Sequence, residues 1–398
     1  MRVLALGGGG AMGAVAVRTA AGLAGVSEIV VADRDLAAAQ LVSSTLTAET
    51  VPVRAERVDI TDPGELRAAL DAADVVLNTV GPYYEFGVGV LGAAIETGTH
   101  YLDICDDWEP TLEMLELDER ARAAGVCAVI GMGASPGVSN LLALAAAREF
   151  EVLRDIYTAW PVDAGGMNPD MGELVGPQGR PSAAAVHWMQ QLSGTVAQVG
   201  DGRIVRRRPL RAVRLDLPGG LGGTAYTCGH PEPVTLHRTL RPTGESANLM
   251  VVRPSTAAYL DSLRRDLDAG RLTNAEAAAL VAAPGVLRGL RAAFASLWFA
   301  SPRTLPPFFA VATGTRERRA ETVLARLPAA VEAFVLTADM ATVTGVPLAL
   351  GLSQVIDGGA LVPGVRPPEA VIEPRRFFTD LAAHLGLPES GDVILERA

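Results

Sequence analysis

The sequence predicts an α/β fold, with an N-terminal doubly wound parallel sheet and a second α+β domain built on a mixed sheet. Short apolar segments alternate with helix-compatible segments as far as Ala147, as parallel βαβ units require. The pattern changes near Glu151, after which strand-like and helical segments follow without that alternation. The 398 residues and 49% hydrophobic content are sufficient for two domains with separate cores.

The first domain is predicted to alternate strand and helix throughout. The predicted strands are Arg2–Leu6, Glu28–Ala32, Val51–Val58, Ala73–Leu77, His100–Ile104 and Val126–Ile130. The predicted helices are Ala11–Leu23, Leu36–Leu46, Pro63–Leu70, Gly87–Thr97, Leu112–Ala124 and Leu141–Ala147. Because ligands of such sheets bind outside the carboxyl ends of the strands, the residues that follow each strand are the candidates for function.

The second domain has weaker patterns. Asp163–Pro181 is rich in glycine and proline and is predicted to be a loop. Strands are predicted over Arg203–Val213, Phe308–Thr313 and Ala320–Leu324, and a strand–turn–strand over Ala225–Leu236. Helices are predicted over Thr256–Arg291, Asp339–Val355 and Glu373–Leu385.

The segment GGGGAMG, residues 7–13, follows a predicted strand and opens a predicted helix. Its spacing Gly8-x-Gly10-x-x-Gly13 fits the dinucleotide fingerprint, in which glycines allow the tight turn, the approach of the pyrophosphate and close helix packing. Ala11 and Met12 begin the helix, whose N–H groups would face the anion. The alternative interpretation is an ordinary glycine turn.

Asp33 ends the second strand about 20 residues after Gly13, where a carboxylate is expected to accept hydrogen bonds from the adenosine ribose. Asp33 favours NAD by repelling a 2′-phosphate, whereas Arg34 could bind that phosphate, so both cofactors stay open. Asp59 and Ile60, after the third strand, are candidate adenine contacts or a helix-capping loop.

Val80, Gly81 and Pro82 follow the fourth strand, where the nicotinamide is expected. Their backbone is predicted to hold the carboxamide, with an ordinary turn as the alternative. Tyr83 is a candidate catalytic residue and Tyr84 a candidate substrate contact, although tyrosines beside such turns often belong to the core.

The fifth and sixth strands are also followed by polar residues. Asp103 is a candidate proton donor or relay, while Asp106 and Asp107 are candidates to bind a substrate ammonium group; helix capping is the alternative. The segment Gly133–Gly137 precedes a helix, and Ser135 and Asn140 are the predicted contacts for a substrate carboxylate.

In the second domain, His230 with the nearby Glu232 is a candidate acid–base pair, and a structural turn is the alternative. His187 is a weaker candidate. Arg206–Arg208 are interpreted either as a carboxylate clamp or as a solvated strand edge.

Composition excludes several functions. The net charge of −11 argues against nucleic acid, and no apolar run is long enough to span a bilayer, so neither nucleic acid nor a membrane is an expected partner. The three cysteines are far apart, which indicates a reducing cytoplasm, and no metal is expected. All 34 basic residues are arginine, which excludes Schiff-base lysine chemistry.

Segments in both domains resemble saccharopine dehydrogenase-like oxidoreductases. They are GGGGAMG, VVADR, VLNTVGPYYEFG, THYLDICDDWEP and GMGASPGVSNLLA, followed by GHPEPVTL, LPPFFAVATGTRE, TGVPLALGL and GVRPPEAVIEPRRFFTDLAAHLG. The resemblance implies a Rossmann domain over 1–140, a substrate-binding and dimerisation domain over 141–355, and a segment 356–398 that returns to the first domain. It implies a homodimer, NAD(P)H as cofactor, and hydride transfer at a C–N bond between an amine or amino acid and a carbonyl partner.

Lysine-forming saccharopine enzymes use a Lys–His pair that this lysine-free chain cannot supply, so the glutamate-forming type fits better. Two alternatives remain. Relatives of the group include enoyl reductases, which makes an NAD(P)H-dependent reductase of C=C or C=O bonds possible. A non-catalytic NAD(P)-binding sensor is the other.

Overall fold

The computed structural model describes residues 1–46, 51–162, 183–387 and 392–398, so the predicted loop 163–181 lies outside the described residues. The chain divides into two compact units. The first contains Met1–Leu141 and Ala329–Asp392, and the second contains Leu142–Pro328 and Val393–Ala398.

The strands are, in chain order, β1 (Arg2–Leu6), β2 (Glu28–Asp33), β3 (Val53–Arg57), β4 (Val75–Asn78), β5 (His100–Asp103), β6 (Cys127–Val129), β7 (Val152–Pro161), β8 (Val196–Gly200), β9 (Arg203–Arg207), β10 (Ala212–Asp216), β11 (Gly222–Cys228), β12 (Ser246–Val251), β13 (Phe309–Arg316), β14 (Arg319–Arg326), β15 (Gly364–Arg366) and β16 (Ile394–Arg397).

The helices are α1 (Ala11–Ala21), α2 (Leu36–Ser44), α3 (Pro63–Asp71), α4 (Tyr83–Thr97), α5 (Trp108–Leu115), α6 (Asp118–Ala123), α7 (Val138–Ala147), α8 (Ala183–Gln191), α9 (Glu232–Leu240), α10 (Pro254–Asp268), α11 (Asn274–Ala282), α12 (Val286–Ala295), α13 (Ala329–Thr337), α14 (Met340–Ile356), α15 (Pro368–Val371) and α16 (Pro374–His384).

The sheet of the first unit is parallel, in the order β15-β6-β5-β4-β1-β2-β3. Apart from β15, this is the order of a Rossmann fold, so the predicted α/β fold class is confirmed. Strand β1 lies inside the sheet, between β4 and β2, and Val3–Leu6 are almost completely buried. Helices cover both faces of such a sheet, which is why the interior strands β1, β2 and β4 are largely apolar, whereas the edge strand β3 alternates.

The sheet of the second unit is mixed, as the sequence predicts. Its order is β10-β11-β12-β7-β13-β14-β16, with β8 paired to β12 and β9 paired to β8. Strands β12 and β7 are parallel, whereas the other pairs are antiparallel. In β12, Ala247 and Leu249 belong to one apolar cluster and Met250 to another, so both faces of this strand are covered.

The expected domain boundaries need two corrections. Helix α14 lies in the first unit rather than the second, because Gly345 allows it to pack directly on α1. The last strand, β16, lies in the second unit, where it pairs antiparallel with β14. Residues 356–392 do lie in the first unit, where β15 extends the parallel sheet beside β6.

Several predicted elements also differ from the structure. The strand–turn–strand over Ala225–Leu236 is wrong, because β11 ends at Cys228 and α9 begins at Glu232, beside prolines that suit a first helical turn. The predicted helix Thr256–Arg291 is three helices. One break contains Gly270 at a φ of +65°, and a capping box formed by Thr273 and Glu276 starts the next helix.

Within the described ranges, no single helix combines the length and the hydropathy needed to cross a membrane. Helix α11 and the segment Val286–Trp298 reach that threshold only when taken together, and they are bent by 86°.

Candidate nucleotide site

The turn between β1 and α1 can be built only from glycine at several positions. Gly7 has a φ of +73°. A Cβ atom on Gly8 would lie 2.8 Å from the Ala5 carbonyl oxygen, and one on Gly13 would lie 2.3 Å from the Gly7 carbonyl oxygen. These glycines therefore form the tight turn and the close contact between helix and strand that the fingerprint requires.

Gly10 differs from these glycines because few protein atoms lie near the position that its Cβ atom would take. A Cβ atom on Gly10 would meet one described heavy atom within 4 Å, the Gly7 carbonyl oxygen at 3.2 Å. Gly10 and Ala11 are exposed, and the first turn of α1 contains no acidic residue. The first-turn amides of Ala11, Met12 and Gly13 have no partner within the helix itself, so this end of α1 fits a pyrophosphate.

Asp33 is held beside this turn. Its Oδ2 atom accepts a hydrogen bond from the Gly9 amide at 3.1 Å, and its Oδ1 atom accepts one from the Asp35 amide at 3.0 Å. The carboxylate is half-buried and Arg34 is exposed. The structure therefore brings the fingerprint glycines and the predicted ribose acid together at the carboxyl ends of β1 and β2.

The loop after β3 is shaped by Asp59. Its Oδ1 atom accepts hydrogen bonds from the Thr61 amide at 3.0 Å and the Thr61 hydroxyl at 2.7 Å. These bonds, together with the charges of Arg57 and Arg34, hold the pKa of Asp59 below its usual value. Ile60 lines a cavity of about 340 Å³ beside α3 and α4. Asp59 thus shapes the loop before α3, which Asp62 caps, and an adenine contact stays a prediction.

A buried hydrogen-bond network connects the ends of β4, β5 and β6. The Asn78 amide group donates to the Tyr101 hydroxyl at 3.0 Å, and that hydroxyl donates to Asp103 Oδ2 at 2.8 Å. Asp103 Oδ1 accepts from the amides of Gly131 at 2.6 Å and Cys105 at 3.0 Å. Burial raises the pKa of Asp103 to about 6.

Tyr83 belongs to the same network. Its hydroxyl donates to the Asn78 carbonyl oxygen at 2.7 Å and accepts from the Ile104 amide at 3.4 Å. Burial, with the charge of Asp103, raises the pKa of Tyr83 well above its usual value. Tyr83 and Asp103 are thus buried and bonded to neighbouring loops, and their catalytic role stays a prediction.

The loop after β4 leaves backbone accessible at the sheet edge. The Val80 amide donates to Asn78 Oδ1 at 3.1 Å. A Cβ atom on Gly81 would have no described heavy atom within 4 Å, and Pro82 precedes the first turn of α4. Tyr84 lies in that turn and is 52% exposed, whereas Tyr83 is buried.

The predicted substrate residues differ in their exposure. Asp106 and Ser135 are half-buried, while Asp107 is buried at the start of α5. Asn140 is completely buried. Its Oδ1 atom accepts from the Gly137 amide at 2.9 Å and its amide group donates to Glu369 at 2.8 Å, so a substrate contact by Asn140 stays a prediction.

The sequence did not indicate a structural or functional role for three residues of these networks. Asn78 ends an apolar strand, and Tyr101 lies within another, so each resembles an ordinary strand residue. Glu369 lies 229 residues from its partner Asn140. The one feature of the sequence that could have indicated this network is the polar residue Asn78 at the end of an apolar strand.

In the second unit, His230 belongs to a separate buried network. Its Nδ1 atom lies 3.2 Å from Glu232 Oε2, and Glu232 Oε1 accepts from the Asn248 amide group at 2.9 Å. Asn248 Oδ1 also accepts from Trp160 Nε1 at 2.8 Å, and the Trp160 and His230 rings are 5.8 Å apart. His230 is 5% exposed, and the predicted pair with Glu232 is present.

The arginine run of β9 contributes to the fold of the second unit. Arg207 donates to Glu245 Oε1 at 2.8 Å, and Arg211 donates to Glu245 Oε2 at 3.2 Å. These bonds lower the pKa of Glu245, although burial opposes them. Arg207 is thus an ion-pair partner within this unit, whereas Arg206 and Arg208 are exposed, as on a solvated strand edge.

The glycine turn, the carboxylate at the end of β2 and the parallel sheet define a nicotinamide-nucleotide-binding domain of the Rossmann type. Residues 3–129 match the sequence profile described as the saccharopine dehydrogenase NADP binding domain. The predicted resemblance to the saccharopine dehydrogenase-like group is therefore confirmed over these residues.

Curated relatives match over short segments. The chain is 42% identical over 67 residues to the saccharopine dehydrogenase-like oxidoreductase of Rattus norvegicus, which is 17% of this chain and 15% of the relative. It is 32% identical over 84 residues to the trans-acting enoyl reductase of Mycobacterium leprae, which is 21% of this chain and 20% of that protein. The matched segments are thus a small part of each relative.

A solved structure shares the fold across the whole chain. The glutamate-forming saccharopine dehydrogenase of Saccharomyces cerevisiae aligns with a TM-score of 0.61 and 18% identity, covering 100% of this chain and 99% of that one. At this identity the likeness establishes the fold, a Rossmann unit followed by a mixed-sheet unit.

Proposed function

We propose that the protein is an NAD(P)-dependent oxidoreductase that transfers a hydride to or from a C–N bond of an amino-acid-derived substrate. The reaction is the reduction of an imine, or the oxidation of a secondary amine in reverse. The observation that carries the proposal is the nucleotide turn, with open space at Gly10 and a fixed carboxylate at Asp33. The shared fold with a glutamate-forming saccharopine dehydrogenase favours C–N chemistry.

The nicotinamide supplies or accepts the hydride when bound. In this proposal, the first-turn amides of α1 bind the pyrophosphate, and Asp33 accepts hydrogen bonds from the ribose. Backbone groups of Val80–Pro82 orient the carboxamide. Tyr84, Asp106 and Ser135 are the accessible candidates for substrate contacts.

His230 is the candidate for moving a proton, because Glu232 orients its Nδ1 side. A protonated iminium needs no proton at the hydride step, so His230 would act on the nitrogen before or after that step. Positioning and exclusion of water are expected to supply most of the rate.

The proposed cofactor preference is for NAD. Asp33 places a negative charge where NADP would carry its 2′-phosphate, and the repulsion between these two negative charges would weaken NADP binding. The profile that matches residues 3–129 is described as NADP binding, and Arg34 is the side chain that would bind a 2′-phosphate.

A homodimer and a cytoplasmic location also remain predictions. Light scattering would test the first, and cell fractionation would test the second.

A second candidate is reduction of a C=C or C=O bond. It is favoured by the 32% identity, over 84 residues, to a trans-acting enoyl reductase. A non-catalytic NAD(P)-binding sensor would share the same nucleotide turn and would differ only in the absence of turnover.

The experiment follows oxidation of NADH and NADPH at 340 nm with panels of amine and 2-oxo acid or aldehyde pairs. Enones and ketones without amine form the second panel. Oxidation that requires both amine and carbonyl would support imine reduction. Oxidation of an enone or ketone alone would contradict it in favour of the second candidate. Tight nucleotide binding without turnover in either panel would indicate a sensor.

A further inference from the structure

Helix α12 and the turn Ser296–Trp298 present their apolar side chains to solvent. Six large apolar residues are each 64–78% exposed. We call them the apolar helix face: Val286, Leu287, Leu290, Phe294, Leu297 and Trp298. Their spacing of three and four residues places them on one side of the helix, which is the pattern of a helix that buries this side against something apolar.

The other side of α12 holds the helix to its own unit through polar contacts. Arg288 donates to Asp266 at 2.7 Å and to the Ser262 hydroxyl at 3.1 Å, both on α10. Ala292 is buried. The orientation is therefore set by an inward ion pair, and turning the apolar helix face inward would remove that pair.

The size of the apolar helix face is unusual for a solvent-exposed surface. Its six residues are each more than three-fifths exposed on one side of a single helix, and contiguous apolar patches above a few hundred Å² are rare on monomeric proteins. Phe294 and Trp298 pack edge-on with ring centroids 5.4 Å apart, so the aromatic part of the face is continuous. Such a surface indicates a binding partner.

Charge distinguishes between possible partners. No Asp or Glu occurs among the 40 residues Ala277–Arg316, although the chain contains 45 acidic residues in 398. The same stretch contains four arginines, of which Arg291 and Arg303 are exposed. The acids of neighbouring α10 are neutralised locally, since Asp261 and Asp268 pair with Arg264, and Asp266 pairs with Arg271 and Arg288.

We propose that the apolar helix face docks on an anionic lipid bilayer. Phe294, Leu297 and Trp298 would enter the boundary between head groups and acyl chains, while Arg291 and Arg303 contact anionic head groups. If a second copy of the chain bound the same surface, arginines would face arginines without any acidic partner. Anionic lipid instead supplies the negative charge that these arginines lack. The proposal is independent of the reaction and replaces the expectation that no membrane is a partner.

The test is flotation of the full-length protein with vesicles of phosphatidylcholine, with or without phosphatidylglycerol. We expect the protein to float with the phosphatidylglycerol vesicles, less as salt rises. The double variant Leu290→Ser/Phe294→Ser should reduce bound protein by about tenfold or more. Arg291→Glu should weaken binding to anionic vesicles selectively. Leu41→Ser, which changes a leucine 69% exposed on α2, is the matched control and should bind as the wild type does.

Folding and self-association are measured on the same proteins. Thermal melting should be unchanged by the double variant, because both side chains are exposed. A wild-type protein that stays at the bottom of the gradient with every vesicle would overturn the proposal. So would a double variant that converts a dimer to a monomer in sedimentation while leaving vesicle binding unaltered, because a second copy would then be the partner.

Discussion

At the scale of single residues, Gly10 and Gly13 have different tasks although both belong to one motif. Gly13 allows α1 to pack against the turn, since a Cβ atom there would lie 2.3 Å from the Gly7 carbonyl oxygen. Gly10 leaves room in front of the helix terminus, where an added Cβ atom would meet only the Gly7 carbonyl oxygen among the described atoms and would face the proposed pyrophosphate. Substitutions can therefore separate folding from binding.

Gly10→Val is expected to weaken NADH and NADPH binding by about 100-fold or more, because its side chain fills the space of the pyrophosphate. The melting temperature should change little. Gly13→Ala should instead lower the free energy of unfolding, by about 1–3 kcal/mol, through overpacking. Nucleotide titration of both variants measures the affinity, and thermal melting measures the stability. Unchanged NADH affinity in Gly10→Val would refute the proposed pyrophosphate site.

Asp33→Ala should weaken NADH more than NADPH, by about tenfold or more, because it removes a charged acceptor for the ribose hydroxyls. Asp62→Ala is the matched control. Asp62 also accepts hydrogen bonds from two amides, those of Gly64 and Glu65, but it caps α3 and should affect stability rather than affinity. A greater loss for NADPH in Asp33→Ala would reverse the proposed preference.

Asp103 predicts a pH dependence of stability. Its pKa is about 6 in the folded protein, above the usual value of 3.8, so the folded state binds the proton more strongly. The free energy of unfolding should therefore fall as pH rises from about 4 to 6, with an Asp103 contribution on the order of 3 kcal/mol. Chemical denaturation across this range should show a smaller fall in Asp103→Asn; an identical pH profile would contradict the assignment.

At the scale of elements, the pairing of α14 with α1 supports the nucleotide turn from behind. A Cβ atom on Gly345 would lie 2.6 Å from the Met12 carbonyl oxygen and 2.8 Å from the Val15 Cβ atom. The two helices cross in close contact at this glycine. Helix α14 therefore fixes the position of the helix whose first turn is proposed to bind the pyrophosphate.

Gly345→Leu should destabilise the protein by about 1–3 kcal/mol or more and weaken nucleotide binding, because α1 must shift. Gly92→Ala on α4 is the control, since its Cβ atom would meet no described atom within 4 Å. A helix-interior alanine there should stabilise slightly, by about 0.5–1 kcal/mol. Equal melting temperatures for Gly345→Leu and the wild type would disprove the close packing.

At the scale of the whole molecule, the first unit is assembled from distant parts of the chain. Strand β15 pairs with β6, and Asp118 accepts hydrogen bonds from the Val365 amide at 3.0 Å and from Arg366 at 2.7 Å. The matched profile ends at residue 129, but the unit that folds around it also needs residues 329–392.

A fragment of residues 1–141 should therefore aggregate or remain partly unfolded, because it exposes the edge of β6 and the surface of α1 that α14 covers. The same fragment joined by a flexible linker to residues 329–387 should be soluble and bind NADH. Soluble yield, circular dichroism and nucleotide titration compare the two. A cooperative melt and NADH binding by the short fragment would show that the C-terminal part is dispensable.

Local patterns were sufficient for strands β1 to β6 and for the nucleotide turn. All six predicted strands of the first unit lie within two residues of the structure, because a parallel sheet buried on both faces needs short apolar runs. The nucleotide turn and the position of Asp33 could likewise be predicted from the sequence, because β1, its turn and β2 are adjacent in the chain. Helix α9 was missed because prolines at a helix start resemble a turn.

Burial and long-range contact came only from the folded chain. Tyr83 and Tyr84 are neighbours, yet one is enclosed and the other open, because the difference depends on residues such as Asn78 and Asp103 that surround them in space. The link from Asn140 to Glu369 and the addition of β15 to the sheet join segments more than 200 residues apart. A sequence pattern records the chemistry and spacing of neighbours, whereas these features arise from contacts that form only when distant segments pack.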